Sequence, residues 1–87
     1  MSDKRFLRPV RIILEAGKDF IVATAFEAVE FIRRLSGGAM LKAFRIALQH
    51  CLDALDGLLS PKRARASFVA ALERAGMTAE DVATAKA

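Results

Sequence analysis

The chain has no tryptophan and no tyrosine, and only one cysteine, one histidine and two prolines in 87 residues. Each shortage excludes something. A lone Cys51 cannot close an internal disulfide, and it rules out zinc knuckles or ribbons built on cysteine pairs. A lone His50 rules out histidine-rich metal sites. Without Trp or Tyr, a stacking platform for single-stranded nucleic acid would have to be made of phenylalanine alone. A membrane span needs roughly 20 mostly apolar residues in a row; the longest uncharged stretch of real hydrophobicity is Phe20–Phe26. Lys4, Arg5 and Arg8 resemble the charged start of a secretory signal, but Pro9, Arg11, Glu15 and Lys18 break the apolar segment that should follow. An unpaired cysteine suits a reducing compartment, so the expected location is cytoplasmic.

Apolar side chains, by contrast, are plentiful. Hydrophobic residues make up 54% of the sequence and charged residues 28%, the opposite of a disordered composition. At this length the chain is one domain. Residues 1–8 read as a flexible basic arm. Val10, Ile12 and Leu14 alternate along a β-branched run that suits a strand, with Pro9 at its start. Glu15–Lys18 reads as a turn around Gly17, and Phe20–Ala23 as a second strand, which together make a β-hairpin.

Three helices follow. Thr24 and Glu27 have the spacing of a capping box, and Ala25, Ala28, Val29, Ile32 and Leu35 then share one face. Ser36-Gly37-Gly38 ends that helix. A second helix over about 39–58 gathers Met40, Leu41, Phe44, Leu48, Cys51, Leu52, Leu55 and Leu59 on one side. Ser60 and Pro61 open a third, as N-cap and first helical residue. It turns Ala64, Phe68, Ala71, Leu72 and Ala75 inward, and Gly76 stops it. Thr78-Ala79-Glu80-Asp81 has the pattern of a cap, so residues 78–87 read as a short, fraying C-terminal helix. The expectation is an α+β domain over 9–77 with the order β-β-α-α-α-α: a two-stranded hairpin packed on three helices, with both outer edges open.

The string Arg8-Pro9-Val10-x-Ile12, the Glu27-Ala28 pair, Ala47-x-x-x-Cys51-Leu52-Asp53-Ala54-Leu55-Asp56-Gly57 and Ala64-x-Ala66-x-Phe68 with Ala75-Gly76 resembles domain-of-unknown-function family 982. That is a family of short bacterial proteins. The resemblance covers about residues 8–77 and rests on apolar and small positions, so it implies the fold order and no activity. One departure is Leu35-Ser36-Gly37, where such proteins often carry a tryptophan.

The candidate sites are weighed against plain surface chemistry. His50 and Cys51 are adjacent on a helix and diverge by about 100°, so they cannot pair as base and nucleophile. Cys51 belongs to the core and His50 to its boundary. The carboxylate pairs Glu27/Glu30 and Asp53/Asp56 lie on solvent faces and are not catalytic. No enzyme activity, cofactor or metal is expected.

The strongest remaining signal is basic: a net charge of +4, with Arg33, Arg34, Lys42 and Arg45 uninterrupted by an acid. Lys62, Arg63 and Arg65 stand where a helix N-terminus disfavours positive charge. Asp53 and Asp56 are expected to pair with them across the corner. A bound anion such as nucleic-acid phosphate would also offset them. No glycine-rich phosphate loop or helix-turn-helix spacing supports that alternative. Phe26, beside Arg33, and Ile46, among Lys42, Gln49 and Asp53, are apolar residues on polar faces and candidates for an interface. The sequence therefore favours a small non-catalytic interaction or regulatory module, with homodimer and monomer left open in equal measure, nucleic-acid association as the alternative and no membrane partner.

Overall fold

The computed structural model describes residues 5–13, 19–35 and 42–81. Its elements run β1 (Arg5–Ile13), β2 (Asp19–Thr24), α1 (Ala25–Arg34), α2 (Lys42–Leu55), α3 (Pro61–Arg74) and β3 (Thr78–Asp81). The class is α+β, but the sheet has three strands in the order β2-β1-β3, antiparallel throughout. The expected hairpin is present as β1 and β2. The segment Thr78–Asp81 is a strand and not the start of a helix, and residues 82–87 lie outside the described residues.

The strand wins because β1 has an open edge whose backbone groups need partners. Ala79 pairs with Ile12 on the helix-facing side, while Thr78 and Glu80 pair with Ile13 and Arg11. A further helical turn would have left that edge bare. The β1 strand also begins earlier than expected. Arg5–Arg8 belong to it rather than to a loose arm, because Phe6 is buried among the core residues. The β1–β2 register breaks between Arg5 and Val10, where the ladder bulges. The expected turn at Glu15–Lys18 and the cap at Ser36–Gly38 fall outside the described residues.

Phe6, Val10, Ile12 and Val22 face the helices and join one core with Ala25, Val29, Ile32, Phe44, Phe68 and Leu72. Helix α1 packs on β2, α3 packs on β1 and β3, and α2 lies against both helices. Along α2 the fully buried residues other than Phe44 are small: Ala47, Cys51 and Ala54, whereas Leu48, Leu52 and Leu55 are half-buried flanks. Small side chains let a neighbouring helix approach closely, so the seam runs through them and the leucines close its margin.

Each described cap has a local cause. The Thr24 hydroxyl accepts the Glu27 N–H at 3.1 Å, and the Glu27 carboxylate reaches back to the Ala23 N–H at 2.7 Å. The Ser60 hydroxyl accepts the Arg63 N–H at 3.2 Å, with Pro61 just inside α3. Helix α2 ends at Leu55, short of the expected 58, because Gly57 turns at φ +80°. Its N–H reaches the Ala54 carbonyl and that of Leu58 the Asp53 carbonyl. Gly76, at φ +82°, ends α3 in the same way, with Met77 bonded to Leu72. Both are Schellman closures, which need a left-handed residue where glycine is least strained.

Candidate functional site

Three side chains from three elements meet at one corner of the sheet. Arg65, on the second turn of α3, points at β3 and pairs with the Asp81 carboxylate; its Nε donates to the Arg8 carbonyl at 2.7 Å. Arg8 contributes a second, looser pair to Asp81 at 3.4 Å. Together these cations hold the Asp81 carboxyl below the usual carboxylate range, the Arg65 hydrogen bond being the larger cause. On the opposite face of the sheet Arg11 stands between Asp19 and Glu80, at 3.6 and 3.7 Å.

This corrects the expectation for the basic turn of α3. Among the described residues neither Asp53 nor Asp56 pairs with Lys62, Arg63 or Arg65. Asp53 instead accepts from the Gln49 side chain at 2.9 Å, one helical turn away. The acid that reaches Arg65 comes from β3, distant in sequence. Arg65 is thereby a structural brace, while Lys62 and Arg63 remain exposed with no carboxylate within 4 Å among the described residues.

The remaining cations are distributed over other helix ends. Arg33 and Arg34 lie exposed in the last turn of α1, where the helix dipole favours positive charge. Lys42 and Arg45 lie exposed at the start of α2, and Lys42 shares a shallow hollow of about 320 Å³ with Ala43, Ile46 and Arg74. Phe26 is 57% exposed on α1 and Ile46 45% exposed on α2.

Two hollows flank α3 near its start. One, of about 220 Å³, is lined by Leu7, Arg8, Lys62, Arg65 and Ala66. The other, of about 250 Å³, is lined by His50, Leu59, Arg63, Ala66 and Ser67. In the latter, His50 Nδ1 lies 2.8 Å from Ser67 Oγ, a base and a hydroxyl within hydrogen-bond reach. Among the described hydrogen bonds no carboxylate orients the imidazole from its other nitrogen. The pair links α2 to α3. Cys51, beside His50 in sequence, points into the core, and burial pushes its thiol up to about 12. No group of three or more potential metal ligands occurs among the described residues, and no described helix is long and apolar enough to cross a membrane.

Sequence reasoning gave no site role to Leu7, Asp81, Ala66 or Ser67. Leu7 and Asp81 matter only because β1 and β3 are paired, and reading Thr78–Asp81 as helical hid that pairing. Ser67 sits on the boundary of α3, where a serine carries no pattern of its own.

No curated protein matches the chain. Among solved structures, an NMR structure of an Agrobacterium tumefaciens protein, a structural-genomics target, is similar, with 32% sequence identity and a TM-score of 0.70. The match covers 95% of this chain and 83% of that one. The model of a family described as protein of unknown function (DUF982) matches residues 8–79. With that model matched over most of its length, the chain belongs to the DUF982 family.

Proposed function

We propose that this chain is a non-catalytic protein-interaction or regulatory module that self-associates. The observation that carries the reading is the outer edge of β2. Among the described residues no strand covers it, and it exposes a large apolar side chain on each face, Phe20 at 36% and Ile21 at 53%. An open edge of this kind invites another strand, and two copies related by a two-fold axis satisfy each other. The Ala23 N–H is already bonded to Glu27, so Asp19–Val22 is the receptive stretch. Phe26 and Ile46 add exposed apolar area on α1 and α2. The absence of catalysis is supported by a buried Cys51 and by a His50 tied to Ser67 with no carboxylate partner among the described residues. The unpaired thiol suits work in the reducing cytoplasm.

Light scattering at high micromolar concentration tests the reading. A dimer is expected, and Ile21→Lys returns it to monomer, because a lysine at an open edge opposes strand addition. A strictly monomeric wild type overturns it.

A second reading, nucleic-acid association, draws on Lys62 and Arg63, exposed in the first turn of α3 with no carboxylate within 4 Å among the described residues, and on Arg33, Arg34, Lys42 and Arg45. Titration with duplex and single-stranded oligonucleotides tests it. Binding that weakens steeply with salt supports it, and no binding at low ionic strength removes it.

A further inference from the structure

Arg63 and Ser67 stand four positions apart on one face of α3, about 6 Å along its axis. His50 reaches over from α2, with its Nδ1 2.8 Å from Ser67 Oγ. Leu59, in the connection between the two helices, and Ala66 complete the hollow of about 250 Å³. Ser67 lies two positions, or about 200° of helix, beyond Arg65, so this hollow is on the flank of α3 turned away from β3. Its lining combines a cation, a hydroxyl and an imidazole with two apolar side chains, and includes no acid. Arg63 has no carboxylate within 4 Å among the described residues, and Asp53, three positions beyond His50 on α2, accepts from Gln49 instead.

We propose that this hollow binds a small phosphate monoester, its phosphate held by the Arg63 guanidinium and the Ser67 hydroxyl and its organic group resting on Leu59 and Ala66. A planar guanidinium offers two parallel N–H donors to an anion and the hydroxyl one more, which matches the three free oxygens of a monoester. A carboxylate has two oxygens and leaves one donor over. The His50–Ser67 contact sets the direction of the third bond. Either the hydroxyl donates to Nδ1, or Nδ1–H donates to Oγ. Only the second arrangement frees the serine O–H for the ligand, so binding places a proton on Nδ1 and makes His50 a positioning residue. At about 250 Å³ the hollow is smaller than the roughly 300–1,000 Å³ of drug-sized sites, which restricts the organic group to a few carbons. The site uses none of the β2 edge, so it adds an effector to the regulatory reading without depending on self-association.

The test titrates the full chain, ¹⁵N-labelled, with propyl phosphate, inorganic phosphate and butyrate at low ionic strength. Propyl phosphate is expected to shift the amides of Arg63, Ala66 and Ser67 and to bind more tightly than either of the others. At saturation, long-range ¹H–¹⁵N correlations of the imidazole show a proton on His50 Nδ1. Arg63→Gln weakens binding about tenfold and Ser67→Ala about fivefold. Lys62→Gln, beside Arg63 in sequence but lining the hollow on the other flank, changes it by less than about twofold. Unchanged circular dichroism verifies that each variant folds. No shift at these amides overturns the proposal, as does an unprotonated Nδ1 at saturation. So does a Lys62→Gln loss equal to that of Arg63→Gln with none for Ser67→Ala, the mark of diffuse charge. Equal affinity for inorganic phosphate overturns the ester in favour of the free ion. An oligonucleotide that displaces propyl phosphate and binds more tightly overturns it in favour of nucleic acid. A dimer that persists while propyl phosphate fails to bind refutes the hollow and leaves self-association standing.

Discussion

Phe68 is the residue whose loss the fold should tolerate least. It is fully buried at the middle of α3, with its ring edge-on to Phe31 at 6.0 Å. Phe31 in turn meets Phe20 at 5.2 Å, so three rings tie α3 through α1 to β2. Phe68→Ala removes the whole ring from a site with no access to solvent, at a cost of about 3–5 kcal/mol. Roughly 0.5–1.5 kcal/mol of that comes from ring–ring geometry beyond area burial. A domain of 87 residues holds about 4–13 kcal/mol at the usual stability per residue. The alanine variant therefore loses about a quarter of its stability at best and unfolds at worst. Phe68→Leu keeps most of the volume, costs about 1–2 kcal/mol and stays readable. Without Trp or Tyr the chain gives no useful intrinsic fluorescence, so urea unfolding is followed by far-ultraviolet circular dichroism. At a slope of about 1–1.5 kcal/mol per molar urea, the leucine variant shifts the midpoint by roughly 1 M. A cycle with Phe31→Leu should give a coupling of at least about 0.5 kcal/mol. A Phe68→Ala protein with the wild-type midpoint and slope would refute the placement of this ring at the centre of the core.

Further outcomes follow from the geometry at Cys51, Asp81 and Gly76. Cys51, with its thiol pushed up to about 12, should resist alkylation in the native state and react only as fast as the chain unfolds. Because its folded value is raised, its contribution is whole below the ordinary thiol range and is lost as pH rises through it towards 12; comparison with Cys51→Ala in urea at pH 8 and pH 10 checks the sign. Asp81 is shifted the other way, chiefly by Arg65. Its contribution is present above the ordinary carboxylate range and disappears as pH falls through the lowered value, so the unfolding curves of wild type and Asp81→Asn should converge in acid. Gly76→Ala meets no neighbour within 4 Å of the added carbon, yet should cost about 1–2 kcal/mol through positive-φ strain alone, measured as a lower urea midpoint.

Much of this architecture is legible without coordinates, and the legible part has a common cause. The Thr24 and Ser60 caps, the stop at Gly76 and the inward faces of α1 and α3 are decided within a few residues of chain. Their signals survive in the sequence for that reason. On α2 the leucines marked the right side of the helix but not its seam. A hydropathy pattern weights side chains by size, so it placed Cys51 inward but undervalued Ala47 and Ala54, which close helix packing selects beside it. The β3 strand was illegible for a different reason. Thr78-Ala79-Glu80-Asp81 has weak strand propensity and an acceptable helix cap, and its strand state is imposed by the vacant edge of β1, more than sixty residues away. Strand preference of this kind reflects what lies alongside more than the residue itself.

That one non-local pairing also decides the electrostatics of the candidate site. A helix opening with Lys62, Arg63 and Arg65 opposes its own dipole, and a reading confined to sequence neighbours turns to Asp53 and Asp56 for relief. The fold supplies Asp81 instead, at the end of the strand that sequence reads as helix. Arg65 is then spent on fixing β3 to α3 and β1. Lys62 and Arg63 have no carboxylate within 4 Å among the described residues. Among the described residues the acid that holds Arg65 is thus one that only the β1–β3 pairing brings near, and no sequence neighbour of α3 supplies it.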